Sequence, residues 1–521
     1  HPASTVEYRG ALQNITAVPG GFGNLLLTGF DRKIISENIT VNTNFIFDVD
    51  VDGKNSEITI KGNWINQHGD FYSQGTIIFS GEQTTIQGAQ TVFHNIRITQ
   101  NAETILEQNI SADNIEVEGT LRAKEFAINV SNNFQLHDYA LLQTTAEHSF
   151  GNFSNTLFSP SSIVEFARDG EQNIPNLKYG HIRFASSGEK LVAFHLIANE
   201  ITIASGATLN SQYFPVTITG NWNNSGIFIS TSEVIFQGSD QIISSSTFPS
   251  IRFNGNGTKS ATGNIIVTKD ISINNGVIFD GGSHHHSIAG NWNNDGTFLS
   301  SGVIEFNGNG QTISSSTFNS IIFSGNGIKN ITGNISIGGN VHILPNAKVS
   351  GNNYLFTIYG NWKNEGTFNS KGEVNFAGDM QTISSTEFST LHFSGTGNKI
   401  ALGNLTVLKN FTVDNGTQFS SGEFTHYIGG NVIAHQNISE ETSTYIFNGS
   451  TPQFIPSLTL YNVEIENSSG VFLNGQLTIL NNLKISTGDL HTENSLVEIG
   501  MNAALSETPG NRIIGKVFSL R

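Results

Sequence analysis

Hydrophobic and polar residues alternate in short runs along the whole chain, and Gly, Asn and Ser separate the runs. Alternation with a period of two is typical of β-strands that bury one face, and no segment shows the 3.6-residue period of an amphipathic helix. Gly and Asn at the ends of the runs are typical of tight turns. The pattern therefore predicts an all-β protein made of many short strands.

An internal repeat organises these strands, because a Gly-Asn pair follows an apolar strand at a spacing of 70 residues. The clearest members of the series are Gly220, Gly290, Gly360 and Gly430. Gly62 and Asn132 extend it toward the N-terminus, and the spacing of 88 residues from Asn132 to Gly220 indicates an 18-residue insertion, placed around Gln135–Gly151. The repeat predicts a single solenoid over residues 1–521. Its expected parts are a partial unit 1–61, repeats 62–131, 132–219, 220–289, 290–359, 360–429 and 430–499, and a partial unit 500–521.

Equivalent strands from different copies agree at alternate positions. One strand ends in Phe in every copy, at Phe79, Phe166, Phe236, Phe306, Phe376 and Phe447. The residue two places earlier is always apolar or aromatic, whereas the residue between them varies freely. Because residues i and i+2 of a strand share a face, this Phe and its partner are predicted to face the core. The interior is specified by the sequence and the exterior is not.

The length of the repeat selects the architecture. Seventy residues exceed one turn of a solenoid, and three turns of roughly 23 residues, stacked at about 4.8 Å, fit the number of strands. The predicted fold class is an all-β, right-handed parallel β-helix, since parallel crossovers favour that hand. Propeller blades are usually about 40–50 residues, and immunoglobulin-like sandwiches need about 100 residues and linkers. Both alternatives fit the repeat less well.

Composition adds information about partners and location. The chain has no Cys, a formal net charge of −17 and only 25 Lys and Arg. Disulfides and thiolate metal sites are therefore excluded, and an acidic surface that repels phosphate predicts no nucleic-acid partner. We find no run of about 18 apolar residues that could span a bilayer. The lack of Cys favours an exported bacterial protein whose signal peptide is absent from the first residues, HPASTVEYRG.

The strongest candidate for metal binding is the motif DVDVDG, which presents Asp48, Asp50 and Asp52 before Gly53. This spacing is that of the start of an oxygen-ligand calcium loop, and three like charges on one face are costly without a cation. The twelfth position of such a loop is Thr59 instead of Glu. The alternative is a strand with solvated carboxylates whose inward residues are Phe47, Val49 and Val51. The strand with solvated carboxylates is preferred, so the sequence predicts no cofactor, and calcium at Asp48, Asp50 and Asp52 is the one candidate that it offers.

The aromatic and histidine motifs have plainer explanations. Trp recurs at one repeat position, as Trp64, Trp222, Trp292 and Trp362. Exposed Trp would suit a glycan-binding adhesin, but Phe134 and Val432 replace it in other copies and share its bulk rather than its stacking chemistry. We therefore predict core or corner packing. His284, His285 and His286 form the only histidine cluster, for which an exposed loop is preferred over a transition-metal site.

No catalytic constellation stands out, and the chain is predicted not to be an enzyme. Glycosidases and lyases need a localised set of acid, base and charge-neutralising residues, whereas Asp and Glu are scattered here. The place where a site could occur is the 18-residue insertion, with His137, Asp138, Glu147 and His148. An inserted loop on a regular solenoid is a usual place for binding specificity, and we expect it to be a decoration rather than an active site.

Several segments carry a resemblance to known proteins: GNWNNSGIF, GNWNNDGTF and GNWKNEGTF, the turns FSGNG and FSGTG, and the closing LVEIGMNAALSETPGNRIIGKV. The chain resembles the filamentous-haemagglutinin-like β-helix regions of bacterial surface proteins. More narrowly, it is similar to long repeat proteins of the Bacteroidota that are secreted by the type IX route. The resemblance implies a secreted, non-catalytic adhesin, stalk or cell-surface fibre.

The partners implied are a cell-surface glycan or protein receptor, or copies of the chain itself joined end to end. A carbohydrate-active β-helix enzyme and a self-assembling extracellular fibre subunit are the alternative functions. The sorting domain expected in such proteins is missing, and the sequence stops at Arg521 inside a strand-like segment. We therefore expect either further chain after Arg521 or a partner that caps this end.

Overall fold

The computed structural model describes residues 4–520, so Arg521 lies outside the described residues. No helix occurs in this range, and every regular element is a β-strand that pairs in parallel with the strands one turn before and after it. The chain forms a parallel β-solenoid of about 27 turns, with roughly 19 residues in each turn. The all-β, parallel β-helix class predicted from the repeat is confirmed.

The chain divides into two compact units, His1–Lys259 and Ser260–Arg521. In the N-terminal unit, one ladder of strands runs through Thr5–Tyr8, Asn24–Leu27, Asn44–Phe47, Asn63–Asn66, Thr84–Gly88, Glu103–Leu106, Thr120–Lys124, Leu141–Thr144, Ile163–Phe166, Lys178–Phe184 and Leu196–Ile203. It then divides into the branches Val216–Ile218, Glu233–Phe236, Ser250–Phe253 and Trp222–Asn224, Gln241–Ile243, Gly257–Ala261.

The other sides of the N-terminal unit are shorter. Near the N-terminus a four-stranded sheet contains Gln13–Ile15, Lys33–Ile35, Val51–Asp52 and Phe71–Tyr72. A second sheet, here named the lateral sheet, contains Ile39–Val41, Ile58–Ile60, Thr76–Phe79, Thr91–Ile98, Ile110–Val117, Ile128–Leu136 and Gly151–Phe158. After the lateral sheet ends, a third begins with Gln172–Asn173, Gly188–Leu191, Ala207–Gln212 and Ile227–Ser230, followed by the strand Ser246–Phe248.

The C-terminal unit has three ladders. The first contains Ile271–Ile273, Trp292–Asn294, Gln311–Ile313, Ile328–Ile331, Lys348–Asn352 and Thr367–Ser370, followed by Thr386–Phe388, Leu405–Val407, Thr425–Ile428, Thr444–Phe447, Leu458–Glu466, Leu477–Thr487, Val497–Ile499, Ala504–Glu507 and Val517–Ser519. The second contains Ile265–Val267, His285–Ile288, Val303–Phe306, Ser320–Phe323, Val341–Ile343, Trp362–Asn364, Gln381–Ile383, Gly397–Ala401 and Thr417–Ser420. The third contains Val277–Asp280, Thr297–Leu299, Ser316–Phe318, Ile335–Ile337, Phe356–Ile358, Glu373–Phe376, Thr390–Phe393, Phe411–Val413 and Val432–Ile433, and later Gln453–Ile455, Val471–Leu473, Leu490–His491 and Ile513–Ile514.

The repeat and the turn have different lengths. The roughly 19 residues in a turn are fewer than the 23 expected from three whole turns in each copy. From Trp292 to the residue before Trp362 the chain forms eleven strands, and three strands make one turn, so that a copy spans three and two-thirds turns. Equivalent residues of successive copies therefore lie on different sides of the C-terminal unit. Trp292 is in the first ladder, Trp362 in the second and Val432 in the third.

The core follows the predicted alternation. The Phe that ends the recurring strand is buried in all six copies, as are the apolar residues two places earlier. Outward neighbours such as Glu305 and Asn375 are half-buried. Rings of successive turns contact one another, with centroids 5.9 Å apart for Phe306 and Phe323. This packing stabilises a turn through each neighbouring turn that covers it, since aromatic side chains bury large apolar areas and prefer such offset contacts.

Buried Lys side chains bind main-chain carbonyls of several turns from inside the solenoid. Five Lys residues are fully buried: Lys33, Lys190, Lys259, Lys329 and Lys399. Each ammonium donates hydrogen bonds to main-chain carbonyls of turns; Lys259 Nζ, for example, lies 2.6 Å from Gly238 O and 2.7 Å from Asn256 O. Burial lowers the pKa of Lys259. Charge-assisted hydrogen bonds offset the cost of removing the charge from water.

Candidate binding cleft

The Asp48–Asp52 segment lies beside cations of the same chain. Asp52 Oδ2 is 2.7 Å from Lys54 Nζ, and Arg32 lies 4.0 Å from both Asp50 and Asp52. Burial raises the pKa of Asp52, but hydrogen bonds from Lys54 and the charge of Arg32 outweigh it and lower the net pKa. Two of the three carboxylates thus have cationic neighbours, and calcium at Asp48, Asp50 and Asp52 stays a candidate from the sequence.

The recurring Trp residues belong to the core, as predicted. All four are buried, and each indole N–H donates to a hydroxyl one turn later. The acceptors are Thr91 at 3.3 Å, Ser246 at 2.8 Å, Ser316 at 2.8 Å and Thr386 at 3.0 Å. These Ser and Thr hydroxyls thus satisfy the indole donors, and the Trp rings offer no face to a sugar.

The histidine cluster is only partly exposed. The strand His285–Ile288 begins inside it and turns His286 into the core, so that the predicted exposed loop is wrong for this residue. His286 Nδ1 accepts a hydrogen bond from the Ile265 amide at 3.0 Å, and Nε2 donates to Gly281 O at 2.8 Å. Burial lowers the pKa of His286. The three residues therefore do not face one another as a metal site requires.

The 18-residue insertion is close in length to one turn, and it is not a projecting loop. Within it, the strand Leu141–Thr144 pairs with Thr120–Lys124 on one side and Ile163–Phe166 on the other. The expected inserted loop is therefore wrong, because the extra residues continue the stack, and a decorative rather than catalytic role for them stays a prediction. Immediately after this turn, however, the lateral sheet ends. Its last strand, Gly151–Phe158, is here named the edge strand.

A cleft of about 870 Å³ opens beside the edge strand. Its walls include Thr156, Leu157 and Phe158 of that strand and, across the opening, Tyr179 and Ile197. Its polar lining includes His137, Asp138, Lys178 and His195. The structure therefore brings two of the four residues singled out in the insertion, His137 and Asp138, to one cleft. The other two lie apart, where Glu147 binds Arg168 and His148 contacts Asn173.

The carboxylates next to the cleft are held by their neighbours. Ser159 and Ser161 donate to Asp138 and hold the pKa of that carboxyl below its usual range. Across residues 4–520, potential metal ligands come together in one group of three, Glu116, Glu118 and His137.

This group already has partners within the chain. His137 Nε2 lies 2.7 Å from Glu116 Oε1. Arg97 donates to Glu118 at 2.5 Å. The group is a network of charge pairs on the outer face of the lateral sheet.

Sequence reasoning missed two features of the structure. The buried Lys residues could have been found, since Lys259, Lys329 and Lys399 recur at 70 residues, but Lys is ordinarily exposed. The open edge has a weaker signal, Pro175, which cannot donate to a sheet. Only the structure shows that this proline lies where the turn after the edge strand would pair with it.

Comparisons with family models, with curated proteins and with solved structures found no match. The fold itself defines the class: this chain is a parallel β-solenoid repeat protein. Within the described range, the structure contains no helix long and apolar enough to cross a membrane.

Proposed function

We propose that this chain is a non-catalytic, extracellular stalk of a bacterial surface protein that has a structural or adhesive role. One observation carries the proposal: inward positions are specified turn after turn, whereas outward positions on the same strands vary. At the recurring strand the outward residue is Glu305, Asn375 or Ile446, between buried residues of constant type. A sequence that specifies stacking and leaves the exterior free favours a scaffold over a catalyst.

Side-chain ladders support the same role. Asn44 donates to Asn24 and Asn63 donates to Asn44, both at 2.9 Å. A second ladder joins Asn95 with Asn114 at 2.9 Å and continues along the lateral sheet. These amide bonds add to the parallel main-chain pairing along each unit, as stacked amides do in other cross-β arrangements. Bonds that run in the stacking direction suit a domain that carries tension.

A direct test incubates the purified chain with a panel of acidic and neutral polysaccharides and measures reducing ends and unsaturated uronates. We expect no release. Release that disappears with His137→Ala would contradict the proposal and support a carbohydrate-active enzyme. A glycan array and a cell-binding assay then separate the adhesive role from the structural one. Binding in either assay supports adhesion, and no binding in both assays supports a spacer.

The enzyme is a second candidate because Glu118, His137 and Asp138 line a common groove. A glycosidase needs one carboxyl whose pKa is raised so that it can donate a proton. Asp138 has the opposite environment, since two Ser hydroxyls lower its pKa, and the Glu118 carboxylate is bound by Arg97. The surroundings of these carboxylates therefore favour the stalk.

A further inference from the structure

The edge strand Gly151–Phe158 ends the lateral sheet while the solenoid itself continues. In the part of the chain that the structure describes, it pairs with Ile128–Leu136 on one side and with no strand on the other. Eight residues of strand edge span about 26 Å at 3.3 Å per residue. Folded proteins usually shorten, charge or cover an edge of this length, because unpaired main-chain groups invite pairing with another chain.

The following turn explains the open edge. Its chain reaches this side of the solenoid at Ile174–Tyr179, where Pro175 has no N–H to donate. The Pro175 carbonyl is used within the same segment, since the Leu177 amide donates to it at 3.0 Å and the Tyr179 hydroxyl at 2.6 Å. The segment therefore bonds to itself and to the turn after it, where Ile174 N donates to Leu191 O at 2.9 Å and Lys178 pairs with Ile197, and it leaves the edge strand facing the cleft.

Main-chain groups of the edge strand point into this opening. Ser159 N donates to Leu136 O at 2.9 Å, so Ser159 and, two residues before it, Leu157 direct their main-chain N–H and C=O groups toward the preceding turn. In a parallel strand the alternate residues direct theirs to the other side. Thr156 and Phe158, both at the cleft, thus present N–H and C=O groups outward.

The solenoid core is also open at this point. Phe153 and Phe158 face inward and contact the ring of Phe134 in the preceding turn, with centroids 5.2 and 5.6 Å away. Phe134 is fully buried, whereas Phe153 and Phe158 are only half-buried. The difference arises because a further strand covers Phe134 and none covers the edge strand.

We propose that the edge strand binds an extended peptide segment of a partner protein, which adds one strand to the lateral sheet. Main-chain hydrogen bonds to Thr156 and Phe158 fix the peptide backbone. Its apolar side chains, at every second position, lie beside Thr156 and Phe158, and the intervening side chains face water beside Leu157. Addition of a strand to a sheet edge is an established mode of peptide recognition, with main-chain bonds for affinity and alternate pockets for specificity.

The chemistry of the cleft favours a peptide over a glycan. Strand-edge donors and acceptors recur at the spacing of a polypeptide backbone, which a sugar chain does not share. Sugar rings stack on exposed aromatic faces, whereas the aromatic residues that line the cleft are the half-buried Phe158 and the buried Tyr179. The charged lining has both signs, from Asp138 and Lys178, and so favours an alternating sequence of low net charge. The inference stands whether or not the chain is a stalk.

The test uses the full chain and a displayed library of random 12-residue linear peptides. We expect enriched peptides that alternate apolar and polar residues and that slow amide hydrogen exchange at residues 151–158. Thr156→Pro removes an outward N–H and should weaken binding about tenfold or more, which is the effect of losing roughly 1.4 kcal/mol. Circular dichroism and Trp fluorescence check that this variant is folded.

A matched pair of surface variants controls for nonspecific effects. Leu157→Arg lies on the outer face of the edge strand and should weaken the selected peptides severalfold. Leu299→Arg lies on a strand of the C-terminal unit, with similar exposure, 51% against 48%, and should leave binding unchanged. If Thr156→Pro does not fold, slower amide hydrogen exchange at residues 151–158 of the wild-type chain with bound peptide still tests the inference.

Four results would overturn the inference. They are no enrichment above background, equal binding to Leu157→Arg and Leu299→Arg, protection confined to other strands, and protection of residues 151–158 by oligosaccharides rather than peptides. Protection of this segment without peptide, rising with protein concentration, would show that a second copy of the chain occupies the edge.

Discussion

The turns around Phe376 and the turn that ends in the edge strand use the same kind of inward aromatic residue, yet their packing differs. Phe376 lies in a strand that pairs with Phe356–Ile358 before it and Thr390–Phe393 after it, and its ring is fully buried. Phe158 has a neighbouring turn on one side only and is half-buried. An inward position in a solenoid is thus buried by its neighbours in the stack and not by its own turn.

The largest expected difference between these regions is in side-chain truncation. Phe376→Ala should reduce the free energy of unfolding of its strand by about 3–5 kcal/mol, because a cavity remains between two turns. Phe158→Ala should cost only about 1–2 kcal/mol, because less area is buried there. Native-state hydrogen exchange in increasing urea measures both. Equal costs would contradict the comparison.

A second difference concerns pH, since His426 is buried within the regular turns. Burial lowers the pKa of His426 to about 4. The unfolded chain gains a proton near pH 6.5 and the folded chain does not, so stability is complete above pH 6.5 and falls as the pH drops toward 4. The loss should be about 3 kcal/mol.

Urea unfolding at pH 7.5 and at pH 4.5 measures this loss. His426→Phe, which places the residue of the equivalent position Phe356, should remove most of the pH dependence. An unchanged pH profile in that variant would assign the dependence to other groups.

The buried Lys residues predict a smaller effect. Lys329→Met keeps the length of the side chain but leaves the Gly308 carbonyl without the ammonium that donates to it at 2.8 Å. A buried acceptor without a partner costs about 1–3 kcal/mol. Lys348→Met, at an exposed position of the next strand in the same ladder, should change stability by less than about 0.5 kcal/mol. Thermal melts of both variants measure this difference, and equal shifts in melting temperature would refute the stabilising role of the Lys329 ammonium.

The smallest effect is expected at the edge itself. Leu157→Arg should alter the free energy of unfolding by no more than about 0.5 kcal/mol, because the side chain is exposed and its backbone bonds are unchanged. Urea unfolding followed by circular dichroism measures this. A large destabilisation would mean that Leu157 supports the fold and that its effect on peptide binding is indirect.

Sequence reasoning predicted what depends on local alternation. The inward Phe residues follow from a two-residue period, which every copy repeats. The burial of Trp64, Trp222, Trp292 and Trp362 follows from the bulky apolar residues that replace Trp in other copies. The length of the turn could not be predicted, since nothing requires a copy to contain whole turns.

The buried polar groups and the open edge depend on contacts between turns. The alternation that turns His286 inward does not predict which carbonyl accepts a hydrogen bond from its ring N–H. A buried Lys contradicts the ordinary preference of Lys for the surface. The cleft depends on how Pro175 folds its segment back, which is a contact within one particular turn. Such features require coordinates.

The mismatch between eleven strands per copy and three strands per turn has a consequence for how such a chain can lengthen. A duplicated segment that contains whole strands continues the pairing of strands between turns, even when it adds a fraction of a turn. In the C-terminal unit, a feature carried by Trp292–Asn294 reappears one side further round at Trp362–Asn364. A flat partner that recognises one such feature therefore meets every third copy, at intervals of eleven turns, and gene duplication alone cannot place successive copies on one face.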